Sequence, residues 1–483
     1  MHPINIAISE IGLSSAQGNI AQLLEGDVIL EPSALPWETE ACADSQLCRP
    51  ARGIAPDLKG AKRWRALAHA ALEDCLANKI IASETPLIVG TCNGGIDGFE
   101  KEDWKKAFDI STLFAGTRWE KNCLPLVSGS CASGMQALFL GTQMIRAGAH
   151  EVIVLAVDIL STSNCNNFDS LRILCNNVAP PWNSVYGNIL LGEAAVALHL
   201  VNNNDNNCKY KLYGPLLGCD IGESKRLTKL LQPWQREKPD FLLGQGTGPA
   251  EIDNIELQSL QAHFDRDIPL STPHYYFGHT LGASGLLSVA LSLISLNAQK
   301  SLPQLEMPVD KARDGRILLK RDYSLEHSAM IVCRAVSGAC ATAYIAEKAQ
   351  PEHYFNGKKW QEIVKVPPLS IPFLRQFATE AIKHRPENKS DLIIVFLEEP
   401  LTPPSRLFIG NKLLPSAVLE ITPSYIPQLL AACWGYDGAA ICVLGGQSPA
   451  TLKYFRKLFT GINLSVNFVS IKSKEEDREI EWH

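Results

Sequence analysis

The sequence predicts an α/β protein of two similar halves, residues 1–200 and 201–348, followed by a small α/β appendage, residues 349–483. Three observations carry that expectation. Residues 86–157 run strand, Gly-rich turn, helix, strand, and residues 241–298 pass through a similar order. Such alternation builds a parallel sheet covered by helices. Hydrophobic residues make up 46% and charged residues 20% of the 483, enough apolar surface for a large core without disulfide or metal staples. From about residue 350 the character changes, and a Pro- and Lys-containing stretch leads into three further apolar runs.

Taken in order, residues 4–8 form an opening strand. A polar stretch over 31–58 leads to a helix over 60–78, where Trp64, Leu67, Ala71, Leu72 and Cys75 fall at helical spacing. Residues 86–90 make a strand running into the turn 91–95. A strand at 124–127 enters the turn 128–134, a helix reaches Arg146 with Gly148 to end it, and a strand covers 151–157. In the second half, the strand 241–243 ends in the Gly-rich 244–248. Residues 268–272 lead to 278–285 and a helix to Ala298, and 328–332 and 341–345 close the sheet. The appendage has strands at 392–397, 440–444 and 464–471, then a charged, solvated tail over 472–483.

With 45 Lys plus Arg against 51 Asp plus Glu, the net charge is −6, which offers no basic field for nucleic acid. The N-terminus lacks the basic and apolar regions of a signal peptide. The apolar stretch 285–296 is short and Ser-rich for a bilayer span. Fourteen cysteines are scattered without a C-x-x-C pair, so neither zinc spacing nor a disulfide scaffold is expected. A reducing cytoplasm is the expected setting.

Cys131 stands apart. It lies between an apolar strand and a helix, among Gly129, Ser130, Ala132, Ser133 and Gly134. A thiol at a helix N-terminus faces the positive end of the dipole and free N–H groups, which favour thiolate. Small neighbours allow a tight turn that projects the sulfur. A small buried core cysteine is the alternative, and spacing alone leaves both readings open.

Five ordered segments resolve the choice by resemblance. V-S-G-S-C-A-S-G-M-Q-A-L around Cys131, V-G-T-C-N-G-G-I (89–96), P-W-N-S-V-Y-G-N-I-L-L-G-E-A-A (181–195), G-Q-G-T-G-P-A-E-I-D-N-I-E (244–256) and G-H-T-L-G-A-S-G (278–285) resemble β-ketoacyl-acyl carrier protein synthases of the thiolase superfamily across residues 1–347. The resemblance implies a five-layered αβαβα thiolase fold built from two halves, normally dimeric. It makes Cys131 the acyl-accepting nucleophile and His279 the second histidine. The implied reaction moves an acyl chain from a carrier-protein thioester to Cys131. Decarboxylative condensation with a malonyl unit would follow, in fatty-acid, polyketide or polyene assembly. The implied partners are an acyl carrier protein and another ketosynthase chain, as homodimer or heterodimer. No metal or nucleotide is expected, because substrates travel on the carrier's phosphopantetheine.

The departures from the family pattern are specific. Gln245 takes the first histidine's place, and an amide does not exchange protons near neutral pH. His274 stands where the family has a lysine, and Val336 with Ser337 where a gating Phe-Gly pair is expected. Asn183, Tyr186 and Asn188 replace typical residues, and the segment between Gly95 and Cys131 is short. His274, Thr247 and Val336 are candidate supporting residues. Lys59, Lys62, Arg63 and Arg65 form a basic cluster suited to an acidic carrier protein. Two alternatives accompany the enzyme reading: a non-catalytic partner subunit resembling a chain-length factor, and an enzyme limited to acyl transfer or decarboxylation.

Overall fold

A computed structural model describes residues 4–26, 28–34, 47–77, 79–92, 94, 113–174, 180–183, 189–204, 207–219, 225–321, 323–335, 337–348, 372–387, 390–398, 408–409, 412–413, 423, 425–436, 438–445, 448–474 and 477–483. The first half contributes β1 (Ile6–Ser15), β2 (Leu87–Gly90), β3 (Leu126–Ser128), β4 (Glu151–Asp158) and β5 (Ala194–Asn202). The second contributes β6 (Lys211–Cys219), β7 (Phe241–Leu243), β8 (Leu270–Ser271), β9 (Ser328–Arg334) and β10 (Ala339–Ala346). Their sheet orders, β3-β2-β4-β5-β1 and β8-β7-β9-β10-β6, match strand for strand. In each, the first three neighbours are parallel and the last two joints antiparallel.

Helices separate and cover the sheets. α1 (Gly60–Leu76) buries Trp64, Leu67, Ala71, Leu72 and Cys75 against the outer face of the first sheet. α2 (Ser133–Arg146) and α5 (Ser284–Ala298) pack on each other between the sheets, while α3 (Lys225–Leu231) and α4 (Ala250–Gln261) lie beyond the second. The result is the expected αβαβα layering of the thiolase fold. Residues 281–298 are long and apolar enough to cross a membrane, but 89% of that window is buried inside the protein. Ser288, Ser292 and Ser295 on α5 are themselves buried in this central layer.

Two expectations for the C-terminal segment are corrected. It contributes α6 (Pro372–Lys383), β11 (Leu392–Leu397), α7 (Tyr425–Trp434), β12 (Ala439–Leu444), α8 (Pro449–Gly461), β13 (Val466–Lys474) and β14 (Asp477–Trp482). These strands are not a separate sheet. β12 pairs antiparallel with β3, giving one nine-stranded sheet β1-β5-β4-β2-β3-β12-β11-β13-β14. Nor is the end a solvated tail: β14 pairs with β13, and Trp482 stacks on His384, its ring centroid 4.8 Å away. The charges of Lys472 and Glu481 pair on this hairpin, while Ile480 and Trp482 pack on the core.

Candidate active site

The turn that carries Cys131 follows from where β3 stops. Between Ser128 and α2 the chain passes through Gly129, Ser130, Cys131 and Ala132, and Ser130 takes a left-handed φ of 51°. The Gly129 N–H donates to Ser133 Oγ at 2.9 Å, and Ser133 Oγ donates to the Ser130 carbonyl at 2.6 Å. Gly90 ends β2 directly beneath. A Cβ there would lie 2.5 Å from the Ser133 carbonyl, so only glycine lets the first turn of α2 settle on the strand end. Cys131, 5% exposed, immediately precedes the cap residue Ala132.

His279 reaches the same place from the second half. Its N–H donates to the Leu190 carbonyl at 2.7 Å, and the Gly192 N–H donates to the His279 carbonyl at 3.0 Å. Its Nε2 lies 3.2 Å from Cys131 Sγ. The opposite ring nitrogen, Nδ1, accepts from the Leu281 backbone N–H at 3.2 Å. An amide N–H can only donate, so in the neutral ring the proton sits on Nε2, facing the sulfur. Burial pushes the imidazole down to about 4, so the ring is neutral near pH 7.

His274 joins this pair. Its ring centroid is 4.7 Å from that of His279, and its Nε2 is 3.2 Å from Ser284 Oγ, which is also 3.2 Å from His279 Nδ1. Burial first, and then neighbouring His279, hold His274 well below the ordinary histidine range. Two neutral imidazoles therefore share one serine.

Gln245 is placed differently. Its Nε2 donates to Cys333 Sγ at 3.3 Å, and Cys333 Sγ in turn lies 3.5 Å from the Cys131 carbonyl. The loop carrying Gln245 is clamped by α4. Glu256 accepts from the Gln245 and Gly246 N–H groups at 2.7 and 3.0 Å and from Trp182 Nε1 at 2.7 Å. Asp253 accepts from the Gly248 and Trp182 N–H groups, each at 3.2 Å. Burial and then the Glu256 charge push Asp253 up to about 7. Three side-chain atoms here are buried without a hydrogen-bond partner among the described residues: Gln245 Oε1, Thr247 Oγ1 and His274 Nδ1.

Other candidates fall elsewhere. Arg63 does not belong to an exposed basic cluster. It is 1% exposed and bound through Nε and Nη2 to the buried carboxylate of Glu193, which also accepts from the Ala51 and Leu160 N–H groups. Helical periodicity explains this: Arg63 shares the inward face of α1 with Leu67, whereas Lys59, Lys62 and Arg65 are exposed. Arg63 thus anchors the strand Leu191–Gly192 that backs His279. Val336, Tyr186, Asn188 and residues 95–112 lie outside the described residues.

Sequence reasoning missed Asp158. Its carboxylate accepts from Thr91 Oγ1 at 2.8 Å, the Cys92 N–H at 2.7 Å and the Gly282 N–H at 2.8 Å. That ties the end of β2 to the turn after His279. An aspartate ending an otherwise apolar strand was the available signal. Ser284 was inside a quoted motif but unassigned.

Residues 235–307 match the beta-ketoacyl synthase C-terminal domain. A putative polyketide beta-ketoacyl synthase 1 of Streptomyces virginiae is 23% identical over 321 residues, covering 54% of this chain and 76% of the relative. Among solved structures, the PfaC keto synthase–chain length factor aligns with a TM-score of 0.70 at 12% identity, over 97% of this chain and 74% of its own. A beta-ketoacyl synthase from Burkholderia phymatum STM815 aligns at 0.56 and 17% identity, over 72% of this chain and 100% of its own. The ketosynthase ApeO in complex with its chain length factor ApeC, from Xenorhabdus doucetiae, aligns at 0.53 and 20% identity, over 72% and 99%. The fold is that of the thiolase-fold ketosynthases. Within that fold class, the sequence likeness is to β-ketoacyl synthases, over residues 235–307 for the domain and 321 residues for the relative.

Proposed function

We propose that the chain is a thioester acyltransferase of the ketosynthase type, drawing on acyl chains held by an acyl carrier protein. The observation that carries this reading is the 3.2 Å approach of Cys131 Sγ to His279 Nε2, with Leu281 holding the opposite nitrogen as acceptor. The Cys131 thiolate attacks the carrier thioester carbonyl; a C–S bond forms to the enzyme as the pantetheine C–S bond breaks, and the proton released on ionising the Cys131 thiol passes to the departing pantetheine sulfur. A malonyl thioester then loses CO2, and the electron pair of the broken C–C bond passes into an enolate. Its oxygen takes the Nε2–H hydrogen bond of His279. The enolate carbon attacks the acyl carbonyl, and the C–S bond to Cys131 breaks, restoring the thiolate. Gln245 Oε1, Thr247 Oγ1 and His274 Nδ1 offer unpaired groups to the incoming thioester arm. Lys59, Lys62 and Arg65 suit the carrier's acidic surface.

A second reading, a pocket-shaping subunit without its own condensation, draws support from Gln245, whose Nε2 is engaged by Cys333. Incubation with an acyl-carrier thioester, followed by intact-protein mass spectrometry, tests the first reading. An acyl adduct mapped to Cys131 and absent from Cys131→Ala is expected. A folded chain that takes up no acyl group from any chain length offered overturns it.

A further inference from the structure

The C-terminal segment repeats the nucleophile half a third time. In order along the sheet, β12-β11-β13-β14 reproduces β3-β2-β4-β5, with parallel, parallel and antiparallel joints in the same places. The helices agree. α6 precedes β11 as α1 precedes β2, and both pack into one outer cluster. α8 follows β12 as α2 follows β3, and its Phe455, Leu458 and Phe459 join the inner cluster that holds Met135 and Leu138 of α2.

The seam has two-fold character. Val127 pairs with Val443, Ser128 with Cys442, and Leu126 with Leu444. Three residues separate each strand from its helix cap, Gly129 to Cys131 before Ala132 and residues 445–447 before Ser448. On that count Ser128 corresponds to Leu444 and Leu126 to Cys442. Each strand therefore meets its own copy reversed, the self-complementary pattern of an isologous dimer contact. Both central valines face the inner cluster.

The third copy has lost the chemistry. By the same count Gln447 takes the place of Cys131 in the sequence. Phe396, cross-strand from Val443 and Ser470, takes the place of Gly90, cross-strand from Val127 and Ala156. Two residues further along β13, Lys472 stands for the clamping Asp158.

We propose that residues 372–483 are a degenerate nucleophile half that occupies, within one chain, the β3 edge on which a second subunit's matching half would otherwise sit. The chain is its own pseudo-dimer at that edge. Gln136, on the first turn of the Cys131 helix, reaches across the seam, its Nε2 donating to the Ala440 carbonyl at 3.1 Å. The third copy therefore braces the nucleophile turn from below. This inference stands whether or not Cys131 condenses, because its test reads the strand pairing and not turnover.

Hydrogen exchange on the chain of residues 1–483, at two concentrations a hundredfold apart, decides it. Slow exchange of residues 126–128 and 439–444 that does not change on dilution is expected. Rapid exchange there, or protection that falls on dilution, overturns it. Ser128→Cys adds a register test against native Cys442. Mild oxidation should close a disulfide within one chain, found as a 128–442 cross-linked peptide at monomer mass. A 128–442 link found only between two chains shows exchange between subunits and refutes the proposal.

Discussion

Removing the His279 imidazole is the sharpest test of the site. His279 is 2% exposed, its Nδ1 is occupied by the Leu281 N–H, and its Nε2 is 3.2 Å from the Cys131 sulfur, where the proposed reaction would bring acyl and malonyl groups together. His279→Ala takes away one hydrogen-bond donor to a developing enolate, worth roughly a hundred- to a thousandfold in rate, about 2.7–4 kcal/mol. The pH profile follows from the same geometry. With the imidazole at about 4, roughly one ring in a thousand is protonated at pH 7, and only a few per cent at pH 5.5. The neutral donor is thus present throughout, and the decarboxylation rate should stay flat over that interval. An imidazolium mechanism would instead quicken about tenfold per unit on acidification from pH 7. Mass spectrometry of malonyl carrier converting to acetyl carrier follows the step, with acyl loading of Cys131 as the less affected control. Unchanged decarboxylation in His279→Ala, or a wild-type rate climbing steeply toward acid, would refute the assignment.

Brief iodoacetamide treatment near neutral pH should modify Cys131 before the more exposed Cys208, whose thiol is pushed up by burial, and before Cys92 and Cys333, both pushed further up; peptide mapping reads the order. Arg63→Ala should lower stability by about 3–5 kcal/mol in urea titrations, because it strands the buried Glu193 charge. Lys62→Glu and Arg65→Glu should leave stability unchanged while raising KM for the carrier more than they alter kcat. Asp253 has its folded pKa raised from 3.8 to about 7, so it contributes stability that is full below pH 4 and lost as pH rises through 7. Asp253→Asn should therefore flatten the pH dependence of stability between about 4 and 7, and an unaltered slope would count against the burial of that charge.

Much of the molecule was legible in one dimension. Apolar runs bounded by charged residues or glycine fix strands by purely local chemistry, so residues 241–243 and 392–397 agree with β7 and β11 to the residue. The small residues around Cys131 and the G-H-x-x-G-A-x-G segment announce a turn and a histidine because tight backbone approach permits little else. What the tertiary structure decided depends on segments distant in sequence. Lys62, Arg63 and Arg65 read alike as basic residues, yet one of them faces Glu193 and is buried, since the turn of a helix and not composition selects which side chain meets the core. The His279 tautomer, the shared Ser284 and the Asp158 clamp exist only once two halves are stacked and an N–H from one loop is aimed at a nitrogen or carboxylate on another. The C-terminal segment carried no motif, because its kinship with the first half lies in strand order and pairing direction. Those are properties of a closed hydrogen-bond ladder, and β12 acquires them only by lying down beside β3.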